Sequence, residues 1–173
     1  ALGQAQILWD EAVNGPLSSS SQSRTYLPTI IVGSNILTAS VEATPSGGGW
    51  SVVNDYFVIT IPSDLTVSFI QFHSDRPVVT WFGNEDFSEE VASVINPSSG
   101  NLLSQLGLPL LPSGVYGIYF SNFDFQPSPT VANYTLDFFA QPVPEPSTYA
   151  LLLLGVVSVA CVRRLRSRAS RSP

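Results

Sequence analysis

The sequence contains no methionine and no lysine, and it has a single cysteine and a single histidine. A translated chain begins with methionine, so a chain that starts at Ala1 and has none predicts a removed leader. A cleaved secretory signal peptide leaves small residues at its cut, which fits. The lone cysteine, Cys161, lies in an apolar stretch near the end, so residues 1–140 hold no disulfide and depend on a packed core. One histidine and one remote cysteine cannot fill the usual zinc shell. Charge is scarce too, at 12%. Only Arg24 and Arg76 precede residue 141, against twelve carboxylates, which gives that stretch a formal charge of −10. Such a surface repels phosphate, so nucleic acid is excluded as its partner. Nothing in the composition asks for a cofactor.

What is present in residues 1–140 is β-branched and aromatic sequence punctuated by Gly, Pro, Ser and Asn. No sustained helical period appears, and several segments alternate as strands do. Residues 6–12 form a short candidate strand, and 15–23 read as a polar loop. In 35–44, Ile36, Thr38, Ser40 and Glu42 fall on one face and Leu37, Ala39, Val41 and Ala43 on the other. A turn follows at 45–49. Residues 52–61 are the strongest strand, with Phe57, Ile59 and Ile61 opposite Tyr56, Val58 and Thr60. Pro62-Ser63-Asp64 ends it, and 65–72 should return as the second arm of a hairpin. Further strands are expected at 77–82, 115–120 and 131–139. Residues 87–95 read as one or two helical turns with Glu89 and Glu90 near the start, and 97–112 as a long loop. Seven to nine short strands predict an all-β fold, an antiparallel β-sandwich of jelly-roll-like form.

The chain then changes character. Residues 141–148 carry three prolines, which forbid helix and central strand and make an extended linker. Residues 149–162 are uncharged and largely apolar, and 163–173 carry Arg163, Arg164, Arg166, Arg168 and Arg171. Fourteen residues fall short of the roughly twenty that usually span a bilayer. Ser147 can cap a helix starting earlier, and Arg163 and Arg164 can snorkel toward headgroups. A globular helix would show a polar face, and 150–162 shows almost none. The expected organisation is therefore a domain at 1–140, a linker at 141–148, a transmembrane helix at 149–162, and a basic tail on the cytoplasmic side.

Val-Pro-Glu-Pro-Ser-Thr at 143–148, followed by an apolar run and a terminal arginine cluster, resembles the PEP-CTERM sorting signal of exopolysaccharide-producing bacteria. The matching triplet is Pro144, Glu145 and Pro146. The resemblance implies that these residues are recognised by exosortase, a membrane protease-transpeptidase, and that this chain is its substrate. It implies a protein held briefly in the lipid bilayer and then delivered to the cell surface or released. The series from Asp10-Glu11 through Gly33-Ser34-Asn35 to Asp55–Ile59 and Leu65 is similar to a pattern in other exported PEP-CTERM proteins. It is also similar to β-sandwich domains that follow secreted peptidases.

Several residues qualify as candidate sites. His73 would have to serve any Ser-His-Asp triad, with Asp75 nearby, but no nucleophile elbow of the G-x-S-x-G kind occurs. No catalytic residue is assigned, and an enzyme is not expected. Glu85, Asp86, Glu89 and Glu90 form an acidic knot beside Asn84; Asp86, Glu89 and Glu90 are candidate calcium ligands set against a solvated loop. Trp50 follows a glycine turn and is a candidate sugar contact, while Trp9 and Trp81, in strands, are expected in the core. Asp55 is expected to face solvent or brace a turn, and Asn133-Tyr134-Thr135 is a formal glycosylation sequon. Two roles follow. One is a structural or interaction protein of the cell envelope or matrix; the other is a carbohydrate-binding module associated with exopolysaccharide.

Overall fold

Alternation of inward apolar and outward polar residues organises the chain into two sheets in a computed structural model that describes residues 5–97 and 99–144. The elements begin with β1 (Gln6–Asp10), α1 (Glu11–Asn14), β2 (Thr25–Tyr26), β3 (Gly33–Ser46) and β4 (Gly49–Val53). They continue with β5 (Asp55–Ile61), β6 (Leu65–Ser74), β7 (Val78–Gly83) and β8 (Glu90–Ile95). The last are β9 (Gly100–Asn101), α2 (Leu102–Gln105), β10 (Gly114–Asn122) and β11 (Thr130–Pro142). One sheet runs β1-β3-β11-β6-β9, with β4 also paired to β3; the other runs β2-β5-β10-β7-β8. Pairing is antiparallel except at β1/β3 and β2/β5, which are parallel.

Both sheets turn their apolar faces to one core. Leu37, Ala39, Val41 and Ala43 of β3 are buried, as their alternation requires, and so are Phe57, Ile59 and Ile61 of β5. Phe120 of β10 joins the sheets: it stacks on Phe57 of its own sheet, and on Phe72 and Tyr134 of the other, at centroid distances of 6.3, 6.0 and 4.3 Å. Each buried phenylalanine contributes about 1.5–3 kcal/mol from area alone. Buried Asn122 supplies polar cement, its Nδ2 donating across the core to the Val41 carbonyl and to Thr130. Asn35 is likewise fully satisfied, donating to the carbonyls of Ile31, Gly33 and Phe138 and accepting from the Ile31 amide.

Five expectations are corrected. Residues 52–61 are not one strand: the chain leaves one sheet at Asn54 and enters the other at Asp55. Strands in packed sheets commonly turn corners this way. Residues 55–61 and 65–72 do not form a hairpin either, because β5 and β6 belong to opposite sheets. An arch that faces two strands across a core shows the same alternation as a hairpin, so the pattern could not separate them. Residues 87–95 are not helical. A turn leads into β8, whose Ala92 and Val94 pack toward the core while Val91 and Ile95 are exposed. β-branched side chains at that period favour strand. The loop at 97–112 contains α2, capped by Asn101, and delivers Leu102, Leu103, Leu106 and Leu111 to the core. In addition, β11 continues to Pro142, pairing Gln141 with Thr66 and Pro142 with Leu65, so the strand takes the first two residues of the expected linker.

Candidate functional site

The outer face of the second sheet carries an aromatic row. Tyr56 of β5 lies opposite Tyr119 of β10, and Tyr119 lies opposite Trp81 of β7. Their sequence neighbours Phe57, Phe82 and Phe120 are buried, so period-2 alternation turns these three rings outward. The Tyr56 and Tyr119 rings are 4.9 Å apart. Phe87 closes the row, standing edge-on to Tyr56 at 5.3 Å and stacked on Trp81 at 5.4 Å. With Ser21, these rings line an open cleft of about 270 Å³. Trp81 is therefore half-buried on the outer face rather than in the core.

The loop that delivers Phe87 is firmly built. Asn84 Oδ1 accepts from the Ser88 and Glu89 amides, Asp86 Oδ1 accepts from the Ser88 amide, and the Phe87 amide donates to the Asn84 carbonyl. Phe87 takes a φ of 61°, a left-handed conformation that bulky residues avoid. The loop rests on Gly117, which faces Gly83 across the β10/β7 ladder. A methyl group on Gly117 would sit 2.5 Å from the Asn84 carbonyl oxygen and 3.0 Å from the Phe87 ring. At Gly83 a methyl would overlap the Trp81 ring, which lies down over the strand.

The acidic residues around this loop have separate partners. Glu85 accepts from the Tyr26 hydroxyl at 2.9 Å and lies 4.0 Å from the Arg24 guanidinium. Glu90 accepts from Trp81 Nε1 and from the Ser93 hydroxyl. Hydrogen bonds from the Ser88 side chain and backbone hold the Asp86 carboxyl below its usual range. Among the described residues no three His, Cys, Asp or Glu side chains gather as a metal site would. The candidate calcium ligands Asp86, Glu89 and Glu90 are thus not brought together.

His73 lies exposed in β6, its Nδ1 3.0 Å from the Ser99 hydroxyl. Asp75 turns elsewhere and accepts from the backbone and side-chain amides of Asn133. Neither bond links His73 to Asp75, so the serine, histidine and aspartate do not form a relay. The sequon asparagine is engaged in that same pairing. Trp50 lies against Phe125 with the rings tilted by 38° at 5.4 Å, away from the cleft lining. Trp9 is half-buried against the core and donates to the Gly15 carbonyl.

Asp55 departs most from its sequence reading. It is 2% exposed and accepts from the buried Tyr134 hydroxyl at 2.7 Å. Burial pushes its carboxyl up to about 7, against the lowering effect of the Tyr134 bond and with a smaller push from Glu11. Burial, helped by the Asp55 charge, holds the Tyr134 phenol well above its ordinary value. No local motif marks this pair, since only the pairing of distant strands brings it together.

The end of the domain has chemistry of another kind. After Pro142, Val143 and Pro144 are exposed. Glu145, Pro146, the apolar run at 149–162, Cys161, and Arg163, Arg164, Arg166 and Arg168 lie outside the described residues. Among the described residues no helix is long and apolar enough to cross a membrane. Residues 142–167 match the PEP-CTERM protein-sorting motif. The chain carries a PEP-CTERM sorting motif. That motif implies an exported protein, processed by exosortase after membrane-anchored sorting toward the cell surface. No curated protein and no solved structure shows significant similarity to the chain.

Proposed function

We propose that this chain is a PEP-CTERM protein that serves as a structural or interaction component of the cell envelope or extracellular matrix. Its β-sandwich of jelly-roll-like form is carried outward, and its tail halts in the bilayer. The apolar run at 149–162 spans as a single helix, and Arg163, Arg164, Arg166 and Arg168 keep the C-terminus cytoplasmic. Pro144, Glu145 and Pro146 are then the residues that exosortase recognises. The match of the sorting motif to residues 142–167, beginning at the last residue of β11, carries this reading. A proline-flanked stretch is stiff and extended, so its backbone can enter an active site without prior unfolding.

The domain acts by binding rather than by catalysis. The separate engagements of His73 and Asp75 support that reading. The test is replacement of Pro144, Glu145 and Pro146 together by alanine in an exosortase-bearing host. The variant should accumulate uncleaved in the membrane fraction. Processing at the wild-type rate would reject the role given to these three residues.

A further inference from the structure

We propose that the cleft between Tyr56, Tyr119, Trp81 and Phe87 binds a neutral saccharide. Three observations carry the proposal. First, the rings stand side by side on the sheet surface, with Tyr119 tilted 38° to Tyr56 and Phe87 edge-on to it as a wall. Strands lie about 4.8 Å apart, so a row across β5, β10 and β7 tiles roughly 10 Å. The apolar C–H face of a pyranose packs on such rings, drawn to their negative π faces. Second, the wall is constructed. Phe87 holds a left-handed backbone conformation, which is strained for a bulky residue, and the loop seats only because Gly117 has no side chain. A ring placed at that cost on an outer face adds nothing to the core. Third, the cleft is open and polar at its edge, with Ser21 in the lining and Asn54 Oδ1 3.4 Å from the Tyr119 hydroxyl. Few placed polar groups around an aromatic floor suit a ligand that has both C–H faces and hydroxyls.

Charge selects the class. Residues 1–140 carry −10, and both arginines there are ion-paired, Arg24 with Glu85 and Arg76 with Asp124. No unpaired guanidinium remains in that stretch to receive a uronate or a sulfate. Trp50, the ring that the sequence suggested, is not part of this site. The inference deepens the interaction role proposed above and rests on it only for where glycan is met. A correctly sorted protein that binds no sugar defeats this inference alone, and a sugar-binding protein that is not sorted defeats only the other.

The test uses the full chain in zwitterionic micelles free of glycosidic detergent. Tryptophan fluorescence is titrated with neutral hexasaccharides from cellulose, xylan, mannan and dextran, with oligogalacturonate, and with a proline-rich decapeptide. At least one neutral sugar should bind, and Trp81→Ala and Tyr119→Ala should each weaken it about tenfold, the order of one stacked ring. Trp50→Ala should change affinity less than about twofold. Melting curves establish that each variant is folded. Where truncation unfolds the domain, Phe87→Leu keeps the volume, removes the aromatic face and should still lower affinity. Failure of every neutral sugar, preference for the acidic sugar or the peptide, or sensitivity to Trp50→Ala with none at the cleft would each overturn the proposal.

Discussion

Replacing Asp55 by asparagine should remove most of one pH dependence from the stability of the domain. The Asp55 carboxyl is raised from 3.8 to about 7 by burial. The folded value lies above the unfolded one, so between about 3.8 and 7 the native state keeps a proton that the unfolded chain has released. The contribution of this group is therefore fullest below about 3.8, declines as pH rises, and levels off above about 7. A gap of roughly three units at 1.36 kcal/mol each amounts to about 4 kcal/mol. An amide is neutral throughout, and its oxygen can still accept from the Tyr134 hydroxyl. The new buried N–H groups offset part of the gain, by about 1–3 kcal/mol. At pH 8 the variant should thus be more stable than the wild type by about 1–3 kcal/mol, with the two converging or crossing near pH 4. Urea unfolding followed by tryptophan fluorescence at unit steps from pH 4 to 8 measures this. A stability difference constant across that range would refute the buried, proton-holding role of Asp55.

Other outcomes follow from the same contacts. Phe120→Ala removes the ring shared by Phe57, Phe72 and Tyr134 and should cost about 3–5 kcal/mol in chemical unfolding. Gly117→Ala forces a methyl against the Asn84 carbonyl and the Phe87 ring. It should cost about 1–3 kcal/mol and raise hydrogen exchange at the Ser88 and Glu89 amides. Tyr134→Phe leaves Asp55 without its donor, so stability at pH 8 should fall by about 1–3 kcal/mol, with a smaller loss at pH 4.

Much of the strand content was legible because one-sided burial writes itself into alternation. Leu37, Ala39, Val41 and Ala43 show this, as do Phe57, Ile59 and Ile61. Which sheet a strand joins was not legible. The corner at Asn54 and the arch over 62–64 leave no mark on a period of two. The leucines at 102, 103, 106 and 111 were hidden within a loop because α2 lasts a single turn, too short for a helical period to show. The cleft was beyond reach for another reason. Tyr56, Trp81 and Tyr119 are far apart in the chain, and only the ladder register sets them side by side. Asp55 and Tyr134, 79 residues apart, meet for the same reason. The tail needed no fold to be recognised, since a proline-flanked glutamate, an apolar run and terminal arginines are features of composition and order.

The most direct measurement is intact-mass analysis of the protein recovered from the surface or medium of an exosortase-bearing host. Cleavage near Glu145 predicts a mature chain that has lost 149–162 and every arginine from Arg163 onward. Released protein whose mass extends through Pro173 would contradict the sorting account.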